Sequence, residues 1–237
     1  MDINILKNLN ALTFLSEIPS KNIDLVFADP PYIISRKTGF KSIGKRSVKR
    51  FAVSMDFGKW DNISIEEHNK LINAVIKESF RVLKEGGTFI FWYDLYKIES
   101  LKYMLERNGF SQIRFIEWIK TNPVPLNSKT NYLTNSREIA LSAVKKGKPV
   151  FNSEYDNGVY SAPIHRDGGK RQHPCQKPLG ITKQIIEKHT VKGSIVLDMF
   201  AGSGTTLCAA KMAQRKFIGC EIDKKYYRIA LKRLEEI

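Results

Sequence analysis

At 237 residues the chain has room for one large α/β domain, and a hydrophobic content of 42% excludes a wholly disordered protein. Lys and Arg number 39 against 24 Asp and Glu, a formal charge of +15 that points either to a solvated surface or to a polyanionic partner, the clustering of charge deciding between them. Cys175, Cys208 and Cys220 show no CxxC spacing, which speaks against a disulfide framework or a zinc ribbon. The start Met1-Asp2-Ile3-Asn4 has no basic and apolar regions of a signal peptide. These features predict a soluble, cytoplasmic protein with no membrane span. His68, His165, His173 and His189 have no ligand spacing, so no metal is assigned.

In chain order, residues 10–15 read as a short helix or turn, with Pro19-Ser20 as punctuation. Residues 23–28 are apolar and β-branched, the pattern of a buried strand. That strand runs into Asp29-Pro30-Pro31-Tyr32, where two residues of fixed φ force the chain out of a sheet in a stiff extended turn. Residues 33–63 show no periodicity. They hold Arg36, Lys37, Lys41, Lys45, Arg46, Lys49 and Arg50, with no acidic residue between Pro30 and Met55. So long a loop within a domain is functional or signals a wrong assignment.

Ser64-Ile65-Glu66-Glu67 reads as a capping box, and Leu71, Ile72, Val75, Ile76, Phe80 and Leu83 follow at helical spacing up to Gly86-Gly87. A strand over 88–93, a helix over 96–108 ended by Gly109, and a strand over 115–119 come next. Residues 121–125 break regular structure, 138–144 read as a strand, and 145–172 are turn-rich. A helix is predicted over 178–189, a strand over 194–198, a helix over 206–215, a strand over 217–221 and a last helix to Ile237. Strands alternating with helices predict a doubly wound α/β sheet.

Two constellations carry chemistry. At Asp29-Pro30-Pro31-Tyr32 a rigid acceptor stands beside a flat ring at the carboxyl end of a strand, where open α/β sheets bind ligands. It suits a planar group bearing an amine. Near the C-terminus, a strand enters Asp198-Met199-Phe200-Ala201-Gly202-Ser203-Gly204-Thr205-Thr206, a helix follows, and the next strand ends in Glu221. Gly202 and Gly204 permit a tight turn, and a terminal acid suits ribose hydroxyls. A dinucleotide site is the competing reading. It wants G-x-G-x-x-G, and the third position here is Leu207. Asp198 would also repel a pyrophosphate but tolerates a phosphate-free adenosyl ligand such as S-adenosylmethionine.

The catalytic-type (D/N/S)PP(Y/F) and cofactor-type DxFxGxGTT motifs, in that order, resemble the beta class of DNA amino-methyltransferases. His173-Pro174-Cys175-Gln176-Lys177-Pro178 is similar to the segment that precedes the family's cofactor strand. The likeness is greatest to small adenine methyltransferases of type II restriction-modification systems, which lack a large recognition domain. The resemblance implies a Rossmann-like S-adenosylmethionine-dependent methyltransferase fold with a mostly parallel sheet and permuted motif order. It implies one domain over 1–237, with 33–63 as a basic loop and 121–172 as a target-recognition region.

The implied activity is methyl transfer to adenine N6 in double-stranded DNA, with N4 of cytosine as the alternative and an RNA or protein amide as a remoter one. Asp29, Pro30, Pro31 and Tyr32 are the implied catalytic residues. Asn10, Ala28, Asp29, Lys177, Asp198, Phe200, Gly202, Ser203, Gly204, Thr205, Thr206 and Glu221 are the implied cofactor residues. Asn10 stands where family members often carry Asp. The seven basic residues of the 33–63 loop are expected on DNA phosphates. A separate restriction endonuclease and a homodimer are expected partners. Pro174-Cys175 also matches the thiolate dipeptide of C5-cytosine enzymes, but that chemistry would leave residues 29–32 without a role.

Overall fold

The computed structural model describes residues 1–30, 65–123, 134–164 and 176–237. Pro31, Tyr32, the basic residues from Arg36 to Arg50, Ser64 of the capping box, His165, His173 and Cys175 lie outside the described residues.

The described strands are β1 (Ile5–Lys7), β2 (Ile23–Ala28), β3 (Leu83–Tyr93), β4 (Ser111–Lys120), β5 (Arg137–Val144), β6 (Val159–Ala162), β7 (Ile195–Asp198) and β8 (Lys216–Cys220). They form one sheet in the order β1-β8-β7-β2-β3-β5-β4-β6. From β1 to β3 every pairing is parallel; β5 runs antiparallel to both β3 and β4, and β6 is parallel to β4.

Strand side chains alternate between two cores, as the pleat requires. Val26, Ala28, Phe89, Phe91, Tyr93, Leu141 and Leu197 point to one face, packed by α1 (Ala11–Ser16), α2 (Ile65–Val82) and α3 (Ile98–Arg107). Leu25, Phe27, Ile90, Trp92, Trp118, Ala140 and Val196 point to the other, packed by α4 (Leu179–His189), α5 (Thr205–Met212) and α6 (Lys224–Glu235). This is the doubly wound, mostly parallel sheet expected from the alternation of strands and helices.

Three elements depart from the sequence pattern. β1 is too short to show a period, and it forms because it can add to the edge of β8, with Ile5 opposite Ile218. β6 lies in the segment that reads only as turn-rich; Trp118 Nε1 donates to Ala162 O at 3.0 Å and ties it to β4. The helix before β3 ends at Val82 rather than at the glycine pair. Ile23 pairs with Leu83 but Leu25 with Thr88, so residues between them bulge from the ladder. Gly86 turns there at φ +76, and its N–H reaches Lys145 O at 2.8 Å.

Helix ends are satisfied by long cations from neighbouring elements. Lys145 Nζ donates to Leu83 O at 2.7 Å and Arg81 O at 3.3 Å, at the end of α2. Arg81 Nη2 donates to Leu15 O at 2.8 Å and Nη1 to Ile18 O at 2.8 Å, at the end of α1. Charged donors on helix-terminal carbonyls are favourable both as hydrogen bonds and against the macrodipole. Arg81→Met should lower the unfolding free energy by about 2–3 kcal/mol, measured by urea denaturation. A change below about 0.5 kcal/mol would show that α1 does not depend on this clamp.

Candidate active site

The parallel pairings bring the ends of β1, β8, β7, β2 and β3 to one edge of the sheet. Asn10, Glu221, Asp198 and Asp29 are therefore gathered there from positions far apart in sequence. β2 and β7 are direct neighbours, with Val26 opposite Leu197, so Asp29 and the loop after Asp198 leave the sheet side by side. Because β5 is antiparallel to both β3 and β4, Glu138 near the start of β5 and Lys120 at the end of β4 reach the same edge.

Asp29 is held by a buried cation. Lys177, just before α4 and 6% exposed, places Nζ 2.5 Å from Asp29 Oδ2 and 2.9 Å from Glu138 Oε2. The same ammonium lies 5.0 Å from the Trp92 ring centre. Lys120 Nζ completes the chain, 2.7 Å from Glu138 Oε1 and 5.4 Å from the Trp118 ring centre. Burial pushes the Glu138 carboxyl up, but the ammonium groups of Lys177 and Lys120 outweigh it and hold the group below the usual range. Burial likewise opposes the charge of Lys177, and the Asp29 and Glu138 carboxylates reverse the balance, so its pKa is raised.

The glycine loop is braced from within. Gly204 sits at φ +82 as the residue before α5, and a Cβ there would meet Ala230 Cβ of α6 at 2.9 Å, so only glycine allows this approach. Arg233 of α6, itself buried, donates from Nη1 to Ser203 O at 2.6 Å, Ser203 Oγ at 3.1 Å and Thr205 Oγ1 at 3.3 Å. Glu221 accepts from the N–H of Gly202 at 2.7 Å and of Asp223 at 2.8 Å. Burial raises its pKa, against those backbone donors. Asp198 is 2% exposed and accepts from Phe200 N at 2.9 Å. Burial pushes its carboxyl up to about 7; the Thr206 hydroxyl and Phe200 N–H favour the charged form, while Asp29 and Glu221 add to the upward push.

Of the residues singled out from sequence, Ala28, Asp29, Lys177, Asp198, Phe200, Gly202, Ser203, Gly204, Thr205, Thr206 and Glu221 belong to this edge and its loop. Asn10 also lies at this end, where it caps α1: Oδ1 accepts from Thr13 N at 2.9 Å and Nδ2 donates to Thr13 Oγ1 at 2.8 Å. Asn122 accepts from Ile164 N at 2.6 Å, joining the ends of β4 and β6. Sequence reasoning missed Glu138, Lys120 and Arg233. Arg233 had a signal, since it falls three residues after Ala230 on the buried face of α6. Lys120 lies in a family-like stretch, residues 118–123, but without an assigned role, and Glu138 had no signal until strand order was known. Among the described residues there is no cluster suited to a metal ion, and no helix is long and apolar enough to cross a membrane.

Two outcomes follow from this geometry. Arg233→Met strips three buried acceptors of a donor, so amide hydrogen exchange should accelerate selectively across residues 199–206; uniform acceleration would contradict the bracing role. An unfolded aspartate ionises near about 4. Between there and about 7 the unfolded chain therefore sheds a proton that folded Asp198 keeps. This contribution to stability is full at low pH and is lost as pH rises to about 7. The stability difference between wild type and Asp198→Asn, from denaturation at a series of pH values, should move in the variant's favour across that range. A pH-independent difference would contradict it.

The chain matches a family model described as DNA methylase over residues 23–232. It is 36% identical to Type II methyltransferase M2.DpnII of Streptococcus pneumoniae, over 98% of this chain and 89% of that protein. It is 30% identical to Type II methyltransferase M.HinfI of Haemophilus influenzae, over 99% of this chain and 69% of that protein. In fold it is similar to the M1.HpyAVI–SAM complex, with a TM-score of 0.73 and 28% identity over 97% of this chain and 98% of the other. The PvuII cytosine-N4-specific DNA methyltransferase shares the fold at a TM-score of 0.76 and 18% identity, over 96% and 85%. Matched over most of its length by the family model and by these relatives, the chain belongs to the DNA methylase family.

Proposed function

We infer that the protein is a site-specific DNA methyltransferase that transfers a methyl group from S-adenosylmethionine to the N6 amine of adenine in double-stranded DNA. The observation that carries this reading is the direct pairing of β2 with β7, which sets Asp29-Pro30 beside the Asp198–Gly204 loop. The family and the relatives named type II methyltransferases support it. The loop fits the cofactor: residues 198–206 carry an acid and no basic residue, which disfavours a pyrophosphate and accepts a sulfonium-bearing adenosyl group. Bound there, S-adenosylmethionine supplies an electrophilic methyl on its sulfonium.

The chain's own residues would act by position and electrostatics. The Asp29 carboxylate and the Pro30 carbonyl would accept the two N–H groups of one exocyclic amine. Doing so draws the nitrogen away from conjugation with the ring and aims its lone pair at the methyl. As the new N–C bond forms, the methyl's bond to sulfur would break and a neutral thioether would leave; the nitrogen would pass its extra proton to the Asp29 carboxylate and so to water, with no covalent enzyme intermediate. Tyr32 would stack on the flipped base, worth about 1–3 kcal/mol against the few kcal/mol of extrusion. Asp198, Phe200 and residues 202–206 would surround the methionine portion, with Lys177 and Thr205 or Thr206 toward its carboxylate, Glu221 on the ribose hydroxyls and Asn10 and Ala28 toward the adenine ring. Asp rather than Ser before the prolines favours adenine over cytosine.

The reading extends to partners. The basic residues Arg36, Lys37, Lys41, Lys45, Arg46, Lys49 and Arg50 would contact DNA phosphates, and loops over 33–63 and 121–172 would choose the site. A separate restriction endonuclease, a homodimer and a cytoplasmic setting complete the picture. With labelled cofactor and unmethylated DNA, the wild-type protein should label the DNA, and nucleoside analysis should give N6-methyladenine. Asp29→Ala should lose at least about 100-fold in rate. Label on cytosine would reassign the base, and no label on DNA would overturn the reading.

A further inference from the structure

The Asp29–Lys177–Glu138–Lys120 chain contains two residues, Glu138 and Lys120, that touch neither motif of the proposed reaction. We infer that Glu138 is a positioning residue for the catalytic carboxylate, acting through Lys177. This rests on the reading of Asp29 as acceptor for the target amine.

An ammonium carries three N–H donors and no acceptor, whereas a carboxylate offers about four lone-pair sites. Lys177 is divided between Asp29 Oδ2 at 2.5 Å and Glu138 Oε2 at 2.9 Å. Glu138 is fixed in turn by Lys120 at 2.7 Å on its other oxygen, and by its place on β5 opposite Trp118. The four charges alternate in sign and sum to zero, which is how a 6%-exposed lysine stays ionised. Sharing limits how strongly the ammonium holds Asp29, so that an amine N–H can compete for the carboxylate. Neutralising Glu138 removes one of the two carboxylates that share the ammonium and strengthens its hold on Asp29. The tighter ion pair then competes with the incoming amine and drains the carboxylate of the density that should polarise it.

A merely structural role for Glu138, joining β4 to β5, makes a different forecast, and a double-mutant cycle separates the two. Glu138→Gln, Lys177→Met and the double variant are compared with wild type for kcat and KM in labelled methyl transfer to unmethylated DNA, and for cofactor affinity by calorimetry. Glu138→Gln should lower kcat about tenfold while cofactor affinity stays within about twofold. On the Lys177→Met background, adding Glu138→Gln should change kcat by less than about twofold, because the residue through which Glu138 acts is gone. Equal losses on both backgrounds, or an unchanged kcat in Glu138→Gln, would overturn the inference. If Glu138→Gln does not fold, the double variant against Lys177→Met alone decides: matching rates support the inference and a further tenfold loss overturns it. Full activity in Asp29→Ala would overturn the underlying reading of Asp29. Additive losses with Asp29→Ala inactive would remove only the role given to Glu138.

Discussion

The parallel pairing of β2 with β7 is the constraint on which the rest of the site depends. These strands come from opposite ends of the chain, and one side chain fastens them. Asp24 in β2 accepts the backbone N–H of Ile195, 171 positions away, at 2.8 Å, and its other oxygen takes Lys84 at 2.7 Å. This staple lies at the start of the strands. Leu25 and Val26 then pair with Val196 and Leu197, so that Asp29-Pro30 and the Asp198 loop leave the far end of the sheet side by side. Open α/β sheets of this kind bind ligands at the carboxyl ends of their strands.

Around that edge the chain spends stability on fixed charge. Asp198 and Glu221 are carboxyl groups that burial pushes toward neutrality, and each is held by backbone donors from the loop it supports. Asp29, in contrast, faces the buried ammonium of Lys177. Neighbouring acids are thereby given different environments: one poised near neutrality in the loop, another kept beside a permanent cation. That contrast suits a site in which a sulfonium and an uncharged amine must be told apart and brought together. The loop itself is rigid because Arg233 and the tight contact of Gly204 with α6 leave it little room to relax. Preorganisation of this kind is where a reaction without covalent catalysis finds its rate.

Much of this was legible in the sequence because both motifs are local. The apolar run 23–28 ending in Asp-Pro-Pro, and the strand–glycine loop–helix–acid series from 195 to 221, each carry their meaning within about thirty residues. The alternation of periods also gave the layered sheet. What stayed hidden depends on strand order. β1 and β6 are short edge strands whose formation is decided by the partner they meet. Glu138 reads only as the start of a strand, and the antiparallel insertion of β5 between β3 and β4 is what brings it, with Lys120, to the edge that carries Asp29. The early end of α2 at Val82 follows from the bulge that Gly86 permits, a matter of register that composition does not record.

The most direct test of the central claim, that two distant motifs make one methyl-transfer site, is a crystal structure with an S-adenosylmethionine analogue and a duplex carrying the target sequence. The account predicts an adenine out of the stack, its N6 within hydrogen-bond distance of the Asp29 carboxylate and the Pro30 carbonyl, in line with the cofactor's sulfur, and the analogue held by the Asp198–Gly204 loop. A target base lodged away from Asp29, with its ring carbon against Cys175, would contradict it.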